Sequence, residues 1–151
     1  MAQTAARIDP LRSFNFRVEI DNMTLASFSE VSGLTADGDM VEYREGTDSA
    51  NHVRKYAALR KTPNITLKAG VTTNITALWD WYTAVATGAA GSRRNGTIVL
   101  QDDTHADAVY FQFTNGFLNK IVGPDLKASG NEVAIESAEI VVESLTIKLA
   151  K

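Results

Sequence analysis

The residues best suited to chemistry form one acidic run, Asp102-Asp103-Thr104-His105-Ala106-Asp107. Carboxylates and an imidazole are ligand types for a hard or borderline cation. The spacing is not that of a calcium loop, which needs Gly at its sixth position and Glu at its twelfth. The run reads as a solvated hairpin turn. His52 and His105 are the only histidines, and no Gly-x-Ser-x-Gly elbow accompanies them, so a serine-nucleophile triad lacks support. Gly91-Ser-Arg-Arg-Asn-Gly96 imitates a Gly-rich loop, but Thr97 follows without the Lys a phosphate loop requires. It reads as a linker from helix to strand. Trp79 and Trp81 suggest a sugar-stacking platform, yet helix positions two apart do not share a face. Trp79 is expected in the buried stripe and Trp81 partly exposed. Arg54, Lys55, Arg60 and Lys61 surround Tyr56 as a nucleic-acid patch would. Glu42, Glu45 and Asp48 offset that charge, which favours a charge-complementary protein contact. No catalytic, cofactor-binding or metal-binding residue is assigned, and no enzyme activity or cofactor is expected.

The chain that would position such groups has 151 residues, a net charge of −3, 44% hydrophobic residues and no cysteine. That suits a single domain over residues 1–151 with a self-supporting core. Disulfides and thiolate metal sites are excluded. Mild charge gives no drive toward nucleic acid or an anionic membrane. Met1 to Pro10 holds no apolar run, and no stretch approaches the ~20 apolar residues of a membrane span. The expectation is synthesis in the cytoplasm without a signal peptide, and no membrane insertion by this chain.

Period-two alternation marks strands. Phe14, Phe16, Val18 and Ile20 alternate with Asn15, Arg17 and Glu19, before a turn signal at Asp21-Asn22. Leu25 to Val31 resumes extended character. Ile65, Leu67 and Ala69 alternate after Pro63, Thr97 to Leu100 forms a strand, and Val109, Phe111 and Phe113 pair back on it. Asn115-Gly116 marks a turn or a bulge inside a longer strand. One helix is expected over about 74–87, with Ile75, Leu78, Trp79, Tyr82, Val85 and Ala86 on its apolar face, Thr73 or Asn74 as cap, and Gly88 just past its end. Val133 to Leu149 is long and β-branched with a phase switch, which suggests a bulge or a strand buried on both faces. Such a strand at an exposed edge invites pairing with another chain. Gly38 to Ala58 is polar and weakly apolar, with Gly46 to Asn51 as an exposed loop or hairpin tip, so the stretch of about 41–61 reads either as an extended arm that orders on a partner or as a mobile surface hairpin.

The order of these segments resembles the tail tube family of contractile phages and related injection systems. The resemblance rests on Asp9-Pro10, Phe14-Asn-Phe-Arg-Val-Glu-Ile20, Phe28-Ser-Glu-Val-Ser-Gly-Leu34 and Val41-Glu-Tyr-Arg-Glu-Gly46. It continues through Arg54-Lys55, Arg60-Lys-Thr-Pro-Asn-Ile-Thr-Leu-Lys68, Gly70-Val71, Leu78-Trp-Asp-Trp-Tyr82, Arg93-Arg94, Phe117 to Pro124 and Gly130-Asn-Glu-Val-Ala-Ile-Glu136. Each piece is short; the ordered set covers nearly the whole chain.

The resemblance implies a mainly β fold, a compact β-barrel or sandwich with one flanking helix. It implies a homohexameric ring whose sheets join around a lumen, with rings stacked into a hollow tube inside a sheath. Baseplate or hub and terminator proteins would cap the tube, and translocated protein or DNA would pass through it. The particle would be a phage tail or a phage-tail-like injection system. Carried over by position, Val41, Glu42, Tyr43, Arg44, Glu45, Arg54, Lys55, Arg60 and Lys61 would meet a neighbouring subunit or the next ring. Asn15, Arg17 and Glu19 are the candidate lumen-facing residues. Two alternatives stand beside it: the hexameric tube protein of a type VI secretion system, and a carbohydrate-binding β-sandwich using Trp81 and Tyr82.

Overall fold

A computed structural model of the protein describes residues 9–21, 28–47, 49, 51–71 and 76–150. Asn22, the start of the 25–31 segment, Asp48, the expected caps Thr73 and Asn74, and Ile75 lie outside the described residues. The elements are β1 (Phe16–Ile20), β2 (Phe28–Ser32), β3 (Asp37–Tyr43), β4 (Arg54–Lys61), β5 (Ile65–Gly70), α1 (Thr76–Ala86), β6 (Arg94–Gln101), β7 (Asp107–Val122), β8 (Ile135–Val141) and β9 (Ser144–Leu149).

β7 organises the body. Its first half pairs with β6 along one edge and β9 along the other, and its second half pairs with β8. β1 joins β6, β5 joins β8, and β2 joins β5, every pair antiparallel. The outcome is two four-stranded layers that share β7, one in the order β1-β6-β7-β9 and one in the order β7-β8-β5-β2. Of the expected barrel or sandwich, the open sandwich is what forms. β1, β2 and β9 end as edges with no further strand beside them among the described residues, so no barrel closes within one subunit.

The chain passes between layers at Asn115-Gly116, where Asn115 adopts φ 51°. Opposite this point the expected single strand from Val133 to Leu149 is broken in two, a correction to the sequence reading. Glu143 holds the break. Its N–H donates to the Thr114 carbonyl (3.2 Å), and its carboxylate accepts from Asn115 Nδ2 (2.9 Å) and Arg93 Nη1 (3.0 Å). The break resets the alternation, so that Ile140 and Val142 before it and Leu145 after it all pack toward one core. Neither strand is buried on both faces; Val133 precedes β8 and is largely exposed.

The core joins Val18, Ile20, Ile98 and Phe113 of the first layer to Ile65, Leu67, Leu118, Ala138 and Ile140 of the second. Leu78, Trp81 and Val85 add the inner stripe of α1. The tryptophans exchange their expected places: Trp81 is fully buried and Trp79 is 40% exposed. Apolar residues flank this helix on both sides of Leu78, so periodicity alone admits two stripes. Hydrogen bonding selects between them. Trp81 Nε1 donates to the Ser92 carbonyl (2.7 Å), and the Arg94 guanidinium lies 5.2 Å from the indole. A buried indole is stable only with such a partner. The Trp79 indole instead bonds Glu136, whose carboxyl is buried and therefore raised in pKa; its Oε2 has no partner among the described residues. Gly88, at φ 68°, follows α1 as expected.

Phe113 shows how tight the join is. Its ring lies over Gly96, its direct cross-strand neighbour, and against Gly116 on its own strand. A Cβ at Gly116 would sit 2.8 Å from the Phe113 ring and 3.1 Å from Ile140, and one at Gly96 would collide with the ring. Gly116→Ala should therefore destabilise the subunit by about 1–3 kcal/mol, the range for overpacking a closed core. Urea unfolding monitored by tryptophan fluorescence measures it. An unchanged midpoint contradicts the packing described.

Candidate assembly surfaces

The first layer has one core face and one polar face. Strand register places Arg17 beside Val99 and Tyr110, with Lys148 next in the row. It places Glu19 beside Thr97, Gln112 and Thr146. All of these side chains lie on the side away from Val18, Ile98 and Phe113, because strand residues alternate. Arg17 and Glu19, two of the candidate lumen residues, share this face. Arg17 holds it together: Nη1 and Nη2 donate to the two Asp107 oxygens (2.6 and 2.8 Å), and Nε donates to Glu19 (2.7 Å). The Tyr110 hydroxyl also donates to Asp107 (3.1 Å). Asn15, the third candidate, is drawn to the acidic turn instead, where its Nδ2 donates to the Asp102 carbonyl (3.4 Å).

That acidic run is the β6–β7 turn. Asp102 Oδ1 accepts from the Thr104 N–H (2.9 Å), the Thr104 hydroxyl (2.6 Å) and the Ala106 N–H (3.1 Å), while His105 takes φ 64°. The carboxylate is spent on folding the backbone. Among the described residues no group of three His, Asp or Glu is placed to hold a metal ion. The stacking platform fails too, since Trp81 is buried.

β3 and β4 form a two-stranded hairpin that pairs with neither layer. It carries every arm residue named from the sequence, and begins four residues earlier than expected. Val41 faces Tyr56, Glu42 faces Lys55, and Tyr43 faces Arg54 across the pair, with Arg44 and Glu45 beyond the strand end. The sequence reading missed the apolar content at the base: Met40 and Leu59 are 60% and 78% exposed. Met40 and Ala57 lie on one face, and Val41, Tyr43 and Tyr56 on the other, while Leu59 falls in the bulge between the Gly38–Arg60 and Met40–Ala57 pairs. A two-stranded hairpin is marginal in water without a packing partner. The missed signal is that both faces carry apolar residues, where a solvated hairpin would carry them on one. Two of the named cations are used at the hairpin's root. Arg60 lies across Gly38 and donates to the Asp39 carbonyl (3.2 Å), and Lys61 pairs with Asp39 (3.0 Å).

The Arg17 contacts hold the Asp107 carboxyl at about 2, against an ordinary value of 3.8. Those hydrogen bonds outweigh partial desolvation, which acts in the opposite direction. A carboxyl lowered in the folded state adds stability above its ordinary pKa and loses it as pH falls through the folded value. Wild-type protein should therefore lose thermal stability between about pH 4 and pH 2 more steeply than Asp107→Asn. Parallel pH profiles for the two contradict the assignment.

Comparison with known proteins gives one consistent answer. The family model described as T4-like virus tail tube protein gp19 matches residues 12–146. The anti-feeding prophage cap, an AFP tube-terminating cap, is 26% identical with a TM-score of 0.86, over 98% of this chain and 97% of that one. A chain of the extracellular contractile injection system PVC sheath-tube complex is 24% identical with a TM-score of 0.80, over 93% of each chain. Hcp1 from Flavobacterium johnsoniae shares the fold more distantly, at 16% identity and a TM-score of 0.58, over 89% of this chain and 94% of that one. No curated protein sequence matches. With the family model spanning most of the chain and the two-layered sandwich and its hairpin in place, the protein belongs to the T4-like virus tail tube protein family.

Proposed function

We propose that this tail tube protein builds the inner tube of a contractile injection particle as homohexameric rings stacked end to end. The observation that carries the reading is the four-stranded layer: a polar face on one side, a core on the other, and, among the described residues, an unpaired edge at each end. Six such layers joined edge to edge make a barrel of 24 strands. At ~4.8 Å per strand and a tilt of ~40°, the bore is roughly 40 Å across once side chains are allowed for. The polar row would line it, with Arg17 and Lys148 offset by Glu19 and Asp107, so the wall is hydrophilic and balanced in charge. Such a wall passes a cargo without gripping it. The work of the subunit is structural, and neither catalysis nor a cofactor enters it.

The hairpin supplies the second contact. Its two apolar faces suit burial between a neighbouring subunit and the next ring, with the Glu42–Lys55 pair and Arg54 setting register. The similar chains come from particles described as a sheath-tube complex, a sheath/tube terminator and a baseplate. A sheath, a baseplate and a terminator are accordingly the partners proposed here. The type VI reading is the runner-up. The Hcp-like fold supports it, but TM-scores of 0.86 and 0.80 for the injection-system chains against 0.58 for Hcp1 favour the tail-tube branch.

Negative-stain microscopy of the purified protein should show rings and short tubes. Leu59→Asp should leave subunit stability within ~0.5 kcal/mol, as an exposed substitution does, while shifting tubes to single rings or monomers. A strictly monomeric wild type at high concentration contradicts the reading.

A further inference from the structure

Among the described residues Glu136 is the one buried polar or charged residue, at 4% exposure. It belongs to the inward row Glu136, Ala138 and Ile140 of β8, while Ser137 and Glu139 turn to the outer side. The indole of Trp79, in the first turn of α1, is the donor its carboxyl finds, and Oε2 has no partner among the described residues. A carboxylate offers about four acceptor sites, so an ionised Glu136 is poorly satisfied by one indole. The protonated acid tolerates the same surroundings far better, because burial penalises the charged form.

No neighbouring charge relieves this. On β5, Lys68 lies beside Ser137 on the outer side of the second layer and pairs with Glu30 (3.6 Å). On β7, Lys120 stands opposite Glu139, again on the outer side. Asp80 and Tyr82 of α1 are exposed, as is Glu132 ahead of β8. Burial is the first cause of the raised carboxyl pKa, the indole bond opposes it, and no charge contributes.

The two sides of the contact are held unequally. β8 is fixed at this point: Glu136 pairs with Ala69 of β5, and the ladder runs on from the Val71 N–H to the Ala134 carbonyl (2.9 Å). The helix has 11 residues and is fastened in its later part, by Trp81 on the Ser92 carbonyl and Val85 in the core. Its first turn rests on Leu78 and on the Trp79–Glu136 bond. Water therefore reaches the carboxyl most cheaply by displacing Trp79, with Trp81 as the pivot.

We propose that Glu136 and Trp79 form a proton-operated latch: the protonated carboxyl keeps the first turn of α1 closed on the sandwich, and ionisation opens that turn to water. The latch lies within one subunit and does not depend on the ring assembly. A carboxyl raised in the folded state adds stability below its ordinary pKa and loses it as pH rises through the folded value. The latch is closed in acid and opens toward alkaline pH, the reverse of the Arg17–Asp107 pair, which weakens in acid.

The amides of Asp80, Trp81 and Tyr82 donate into the first turn, so their hydrogen exchange, corrected for intrinsic rates, reads the latch between about pH 5 and about pH 9. In wild type their protection should fall about tenfold per pH unit above the folded pKa of Glu136, as the ratio of ionised to protonated carboxyl rises tenfold. Glu136→Gln imitates the protonated acid and should hold protection constant. Tryptophan emission should shift to the red with rising pH in wild type, and stay unchanged in Glu136→Gln and in Trp79→Phe. A protection loss or red shift that persists in Glu136→Gln overturns the latch, as does constant protection in wild type. Should Glu136→Gln fail to fold, carbon-13 titration of the Glu136 side chain in wild type decides. A carboxyl titrating above the ordinary range in step with the protection loss upholds the latch, and one titrating within that range overturns it.

Discussion

A backbone N–H or C=O at the edge of a sheet needs a partner, and among the described residues of one subunit no strand supplies it along β1 or β9. Most of the structure follows from that constraint. The layer β1-β6-β7-β9 is too narrow to close on itself, and its second face is largely polar, with Val99 buried in the row between Arg17 and Tyr110. Proteins that remain monomeric blunt such edges with charge, proline or a covering loop. Here both edges present Val, Ile, Leu and Phe side chains on the core side of the layer, beside backbone groups with no partner strand among the described residues, and their charges, Arg17, Glu19 and Lys148, lie on the other side. In the assembly proposed above, joining subunits would remove these edges.

The second layer and α1 make that possible. They bury the other face of the first layer, so the subunit has a core before it meets a partner. The Asn115-Gly116 corner lets one strand serve both layers, and Glu143 fixes the break that sends β8 to one layer and β9 to the other. Phe113, lodged over two glycines, pins the corner from inside. Arg17 pins the polar face from outside through Asp107 and Glu19. A layer held rigid in this way loses little entropy when its edges dock, which strengthens association at a given contact area.

Much of this was legible in the sequence. Alternation marked β1, β5 and β7, and the helix, its terminal Gly88 and the Asn115-Gly116 irregularity stood where composition put them. The ordered motifs pointed to the family. The misreadings share a physical cause: local pattern does not say which neighbour a side chain meets. Leu78, Trp79, Trp81 and Tyr82 admit two helix stripes, and only the Ser92 carbonyl decides that Trp81 goes inward. The phase switch in Val133 to Leu149 suggested a bulge or a strand buried on both faces, and not two strands, because the contacts at the Glu143 break come from Arg93, Thr114 and Asn115, distant in sequence. The arm was visible as a polar stretch, but its apolar base at Met40 and Leu59 was not, because pairing had to be known before its two faces could be told apart. Glu136 gave no signal at all; its burial comes from the helix lying over it.

Hydrogen exchange of the edge amides tests the central claim most directly. In dissociated subunits the outward amides of Phe16, Val18, Ile20, Leu145, Ile147 and Leu149 should exchange fast, while inward neighbours such as Arg17 and Lys148 stay protected. In assembled tubes both sets should be protected alike. Outward amides that still exchange fast in the tube would contradict the claim that assembly completes this sheet.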